Sequence, residues 1–243
     1  MFGTRAAGPQ RPKSEGEKPF WISYADLMTA LMILFLIVMV ASLAMMTKRI
    51  AEAEQGEKTR TDEISKLCNR LKIKARNLDI VVDCRQNRIN FGEAGRFGYN
   101  DYKLGPAGQR ALRDVVPLVI EAANSDEGQK WFKQVLIEGF TDIDGSYLYN
   151  LHLSLQRSEW VMCAILDDRY SAITGLNQDQ KRQVRDLFLA GGVSFNNAKD
   201  SKEESRRVEL RLQFYGLKDR TASAAPTRPV VFNGTAPEKC LLQ

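Results

Sequence analysis

The sequence predicts one membrane-spanning helix followed by an α/β domain, an α+β sandwich of about 140 residues. Three observations carry this. Leu27 to Met46 is a run of twenty residues without a charge, and at about 1.5 Å per residue such a helix covers the roughly 30 Å hydrocarbon layer. Beyond it, segments with helical spacing alternate with short apolar segments. The last of these, Arg207-Val-Glu-Leu-Arg-Leu-Gln-Phe, alternates strictly, as a strand with one buried face does. The 243 residues are 44% hydrophobic and 27% charged, which excludes a disordered or fibrous chain. A mean hydropathy of −0.33 excludes a polytopic membrane protein. The net charge of +5 is mild, and no basic run is interleaved with aromatics, so direct nucleic-acid binding is not expected.

The elements follow in order. Residues 1–18 form a tail carrying Arg5, Arg11, Lys13 and Lys18. The span is assigned to 19–47. Pro19 suits a first helical turn, Phe20, Trp21 and Tyr24 suit the membrane–water boundary, and Lys48 and Arg49 close the far end. A cleaved signal peptide is the alternative, since Ser42-Leu43-Ala44 is a small-x-small site; the apolar stretch is longer than signal peptides use and has an acid at its start. Residues 48–78 place Ile50, Ala53, Ile64, Leu67, Leu71 and Leu78 at helical spacing, an amphipathic stalk with a break expected at Gly56. The domain is assigned to 79–217. Its expected elements are strands Ile80–Cys84 and Arg88–Phe91 around a turn at Gln86-Asn87, then a loop from Gly92 to Gly105 and a helix over Pro106–Asn124. A buried strand, Val135–Phe140, comes next, then a helix capped by Asn150 and running to Leu166, a helix over Asp179–Ala190, and the strand Arg207–Phe214. Pro226, Pro229 and Pro237 mark an irregular tail, 218–243.

Flank charge does not orient the span, because Lys48, Arg49, Lys58 and Arg60 balance the four basic residues before it. Cysteine does. Cys68, Cys84, Cys163 and Cys240 all follow the span, as expected if that side is oxidising. The N-terminus is therefore read as cytoplasmic and the domain as periplasmic. Four cysteines allow three pairings. Cys68–Cys84, pinning the stalk to the first strand, and Cys163–Cys240, holding the tail, are the expected pair, with buried free thiols the alternative.

Asp26 lies seven residues inside Pro19, about 10 Å down the helix axis. A charged carboxylate within the bilayer costs on the order of 2.5–3.5 kcal/mol, and desolvation favours its protonated form, which suits a group that takes up and releases a proton. The aromatic belt ahead of it argues against a mere boundary position. Lipid offers no counter-charge, so the acid must face a partner protein or a copy of itself. Ser23 and Thr29 lie three residues either side and either hydrate such a path or bond back to their own helix. The run Pro19-Phe-Trp-Ile-Ser-Tyr-Ala-Asp26-Leu-Met-Thr-Ala resembles the N-terminal span of the MotB group of stator proteins. The resemblance implies that Asp26 carries H+ or Na+ with no cofactor. It also implies that two such chains form a homodimer inside a ring of five MotA-like membrane subunits, and that a plug helix follows the span.

Asp142 ends a predicted strand and Arg157 lies two turns into the next helix. The spacing allows either a mutual salt bridge, worth about 0–1 kcal/mol at a surface, or a mouth that grips a zwitterion. The order Gly-Phe-Thr-Asp142-Ile-Asp-Gly, Asn150-Leu-His-Leu-Ser-Leu-Gln-Arg157 and Ser205-Arg-Arg-Val-Glu209 is similar to the OmpA-like peptidoglycan-binding domain over roughly residues 80–215. The resemblance implies that Asp142 binds the ammonium and Arg157 the carboxylate of diaminopimelate, with Asn100 a further contact. Ser205 and Ser158 depart from the family's usual Asn and Ala, and a shifted Arg207 loop would weaken wall binding. His152 has no acid–base partner by spacing, and the cysteines show no metal spacing, so neither an enzyme nor a metal site is expected. The short tail and short link resemble the ZorB family of Zorya antiphage defence systems, whose ring partner is ZorA-like, more than the flagellar stator. A non-conducting wall tether is the rival reading.

Overall fold

A computed structural model describes residues 20–78, 80–222 and 238–242. Pro19, the 1–18 tail with its basic residues, and Pro226, Pro229 and Pro237 lie outside the described residues. The chain divides into two compact units, 1–55 and 56–243. Helix α1 (Phe20–Lys74) begins in the first. Residues 24–55 are exposed all round, and from Leu27 to Met46 they carry no charge, the pattern of a helix whose surroundings are lipid or other helices. Three hydroxyls close on their own helix: Thr29 donates to the Asp26 carbonyl at 2.9 Å, Ser42 to Val38 at 2.7 Å and Thr47 to Ala44 at 2.9 Å. The break expected at Gly56 is not present. A helical glycine costs only about 1 kcal/mol, and here the missing side chain admits Leu217, whose Cδ1 would lie 3.2 Å from a Cβ.

The second unit is built on a five-stranded sheet. Its strands are β1 (Val81–Asp83), β2 (Arg88–Asn90), β3 (Phe132–Gly139), β4 (Phe188–Gly192) and β5 (Val208–Phe214). The order is β1-β2-β5-β3-β4, with β3–β4 parallel and the other pairs antiparallel. Asn87, at φ 54°, turns the chain between β1 and β2, a conformation Asn tolerates. Val82, Ile89, Leu210 and Ile137 are register neighbours across four strands and form the inner row of the core. Helices α2 (Pro106–Asn124) and α4 (Tyr147–Leu166) supply Leu112, Val115, Val119, Val161 and Ile165 to the same core. Leu67 and Leu71 of α1 join it, so the later part of the amphipathic stripe belongs to the domain, whereas Ile50 is exposed. Salt bridges Lys130–Glu63 (2.5 Å) and Arg70–Glu127 (2.7 Å) hold this stretch of α1 in place.

Several boundaries differ from the sequence expectation. Asn150 is not the cap of α4. Ser146 caps it, accepting from the Tyr149 amide, while Asn150 sits one turn inside and donates to the Asp144 and Ser146 carbonyls. The helix expected over Asp179–Ala190 is α6 (Gln178–Leu187), and its last residues are instead strand β4, parallel to β3. A capping box of Asn177 and Gln180 starts α6 one residue early. Short helices α3 (Asp126–Trp131), α5 (Ser171–Thr174), α7 (Lys202–Ser205) and α8 (Leu217–Ala222) complete the domain. The last of these occupies the start of the expected irregular tail.

Candidate functional sites

Asp26 projects from the exposed surface of α1 in the isolated chain. From Phe20 to Thr47 it is the one charged residue. Thr29 is engaged by the helix backbone, the blander of its two expected roles. Ser23's side chain is not among those described.

The second candidate site is built where β3 meets α4. Gly139 ends the strand, and a Cβ there would stand 2.1 Å from the Ser154 carbonyl oxygen, so only glycine lets the helix backbone lie this close. Gly192 on β4 plays the same part, its absent Cβ leaving room for the Ser154 hydroxyl at 2.5 Å. This contact sets Arg157, two residues beyond Leu155, beside the strand end. The Arg157 side chain is fully buried. Its Nε donates to the Asp101 carbonyl at 2.8 Å, Nη1 to Phe140 at 2.6 Å and Nη2 to Gly98 at 3.2 Å. The guanidinium also lies 4.7 Å from the Phe97 ring centroid. Burial pushes it down to about 10 against the pull of Asp142, so it stays charged at neutral pH. A guanidinium has five N–H groups, and three of them have acceptors among the described residues.

Asp142, also buried, does not pair with Arg157. It accepts from Arg206 Nη1 at 2.9 Å and from the Asp144 amide at 3.1 Å. Arg206 also bonds Glu203 at 3.0 Å. The mutual salt bridge weighed from spacing is therefore replaced by two separately held charges that line one pocket. Asn100 lines it too, in a left-handed turn at φ 56°, and its Oδ1 accepts from the Tyr149 hydroxyl. Thr141 adds a buried hydroxyl with no hydrogen-bond partner among the described residues. Arg206 was missed by sequence reasoning, although it stands inside the Ser205-Arg-Arg-Val-Glu run. Ser205 donates its hydroxyl to the Ser201 carbonyl at 2.8 Å and accepts from the Lys199 amide at 2.8 Å. Ser158 bonds back to Leu155 at 2.9 Å, and His152 is exposed on α4.

Disulfides join Cys68 to Cys84 and Cys163 to Cys240. The second staples residues 238–242 to α4. Around it, Asp167 accepts from the Cys240 amide at 2.7 Å and Arg169 donates to the Cys240 carbonyl at 2.9 Å. Arg169 first, and the backbone amides after it, hold the Asp167 carboxyl well below the usual carboxylate range.

Comparison with known proteins assigns the family. Residues 5–55 match the family described as membrane MotB of the proton-channel complex MotA/MotB. A Zorya protein ZorB of Escherichia coli O139:H28 is 66% identical over 226 residues, covering 92% of each chain. The chain belongs to the Zorya ZorB family. With one helix among the described residues long and apolar enough to cross a membrane, and a MotB-type N-terminal segment, this member is a single-pass inner-membrane protein. Among solved structures, the OmpA-like domain of FopA1 from Francisella tularensis is 17% identical with a TM-score of 0.35, covering 56% of this chain and 82% of that one. A MotB-like protein from Desulfovibrio vulgaris is 19% identical with a TM-score of 0.38, covering 68% and 96%.

Proposed function

We propose that this chain is the wall-anchored membrane subunit of an ion-driven rotary motor in a Zorya antiphage defence system. The observation that carries the reading is one carboxylate on an otherwise uncharged span, in a chain 66% identical to a ZorB. Two copies stand inside a ring of five MotA/ZorA-like subunits, with the N-terminus cytoplasmic and the domain periplasmic. The ring shields each Asp26 from lipid. Asp26 takes up H+ or Na+ from one side and releases it to the other, and a charge crossing 100 mV makes about 2.3 kcal/mol available to bias a rotary step. The domain holds the subunit still against that torque. Asp142 receives the ammonium of diaminopimelate in the wall peptide, the guanidinium of Arg157 receives its carboxylate, and Asn100 borders the same pocket. The reading involves no bond-breaking chemistry and no bound cofactor.

The test is Asp26→Asn, which keeps the shape and removes the titrating group. Phage protection is expected to disappear while co-purification of the variant with its ring partner is unchanged. Full protection by the variant would leave a static tether as the function.

A further inference from the structure

The pocket shared by Asp142 and Arg157 is narrow enough to restrict what enters it. Thr141 and Asp142, consecutive residues just beyond the end of β3, are 1% and 5% exposed, and both line it. The Asp142 carboxylate accepts one bond from Arg206 and one from the Asp144 amide, and a carboxylate has about four lone-pair sites. Asp144, the other acid lining the pocket, is bonded through both oxygens to Lys202 at 2.7 Å, which leaves Asp142 as the acid for an incoming cation. The Thr141 hydroxyl has no hydrogen-bond partner among the described residues. Buried hydroxyls are nearly always bonded, and one left without a partner carries a cost that a ligand donor would offset.

The free volume among these side chains is about 20 Å3, and roughly 10–15 Å3 houses one water. A primary ammonium fits both the space and the acceptors. It is close to water in size, and it carries three N–H donors and a charge. Asp142 offers it a charge-assisted acceptor and Thr141 a neutral one. The same nitrogen in an amide has a single N–H, no charge, and an acyl chain too large for the space that remains.

We propose that this pocket admits diaminopimelate only where its side-chain amino group is free, so that the domain grips un-cross-linked units of the wall and passes over those acylated in a cross-link. Asp142 and Thr141 receive the free ammonium. In a cross-linked unit the nitrogen is joined to the carbonyl of a neighbouring peptide, its charge is gone, the acyl group meets the pocket walls and the Thr141 hydroxyl stays unanswered. Sites built to hydrogen-bond a ligand reject analogues lacking the donor far more strongly than apolar pockets reject a missing methylene. The identity of the ligand rests on the wall-binding reading above; the burial and size of the pocket do not.

The experiment is calorimetric titration of the full-length protein in detergent with two synthetic wall tetrapeptides containing diaminopimelate. One has the side-chain amino group free, and the other has that group acylated by D-alanine, as in a cross-link. The free-amine peptide is expected to bind at least about a hundredfold more tightly. Thr141→Val keeps the branched shape and removes a hydroxyl with no partner among the described residues. It is expected to weaken the free-amine peptide about tenfold without lowering the melting temperature. Equal affinities for the two peptides, or undiminished binding by Thr141→Val, overturn the proposal. Asp142→Asn separates it from the reading beneath it. Equal affinities that both vanish in Asp142→Asn leave wall binding standing and remove only the selectivity, whereas equal affinities that survive Asp142→Asn, or no binding of either peptide, refute both.

Discussion

Replacing Arg157 with Ala is expected to damage the fold as much as the site. The side chain is fully buried and donates to three backbone carbonyls. Removing it leaves the Phe140 carbonyl, whose bond is wholly buried, without a donor, at about 1–3 kcal/mol. The Asp101 and Gly98 carbonyls are partly reachable by water and add about 0.5–1.5 kcal/mol each. Loss of the Phe97 contact and the space left behind bring the total to at least about 3 kcal/mol. At roughly 2–4 °C per kcal/mol for a chain of this size, the melting temperature of the detergent-solubilised protein should fall by about 6 °C or more. A fall of less than about 2 °C would show that water replaces the guanidinium freely, and the reasoning would fail. Asp142→Asn is the cleaner binding probe. Its neighbour Arg206 keeps Glu203 as a partner, so diaminopimelate binding is expected to be lost with a stability change near 1 kcal/mol.

Gly139→Ala places a Cβ 2.1 Å from the Ser154 carbonyl oxygen; the helix must move off the strand, and a loss of more than about 2 kcal/mol is expected in chemical denaturation. Asp167 has a folded-state value depressed below its unfolded value of about 3.9. Its contribution is therefore complete above that pH and is lost as the pH falls through the folded value. Hydrogen exchange at the Cys240 amide, slow at pH 7 after correction for intrinsic rates, should lose protection from about pH 4 downward; undiminished protection at pH 2.5 would contradict this. By chain-entropy reasoning, Cys163→Ser, which opens a loop closed across 77 residues, costs about 4.5 kcal/mol, and Cys84→Ser, across 16, about 3. A reversed order in denaturation midpoints would contradict the entropic account.

Where periodicity was strong, the sequence was readable. The Pro106–Asn124 helix and the Arg207-to-Phe214 alternation correspond closely to α2 and β5. Phe188-Leu-Ala-Gly-Gly was not readable as a strand, because its five residues carry no alternation and its pairing partner is β3, about fifty residues away. Ser146 lost to Asn150 as the expected cap because both are good capping residues, and only the fold shows that Asn150 is needed to hold the Asp144 carbonyl. The site itself was half legible. The family resemblance brought Asn100, Asp142 and Arg157 forward together, yet it did not show that Arg206, sixty-four residues from Asp142, would be its ion-pair partner. Nor could spacing show that the arginine at position 157 faces three carbonyls rather than an acid. Such pairings are decided by chain paths, not by neighbours.

The backbone contact at Gly139 has a mechanical consequence. Helix and strand touch there without side chains between them, so Arg157 inherits the rigidity of the hydrophobic interior. No hinge lies between recognition and scaffold. If the pocket grips the wall as proposed, a domain made this way cannot slacken its hold without beginning to melt, which suits a permanent mooring better than a clasp that opens and shuts.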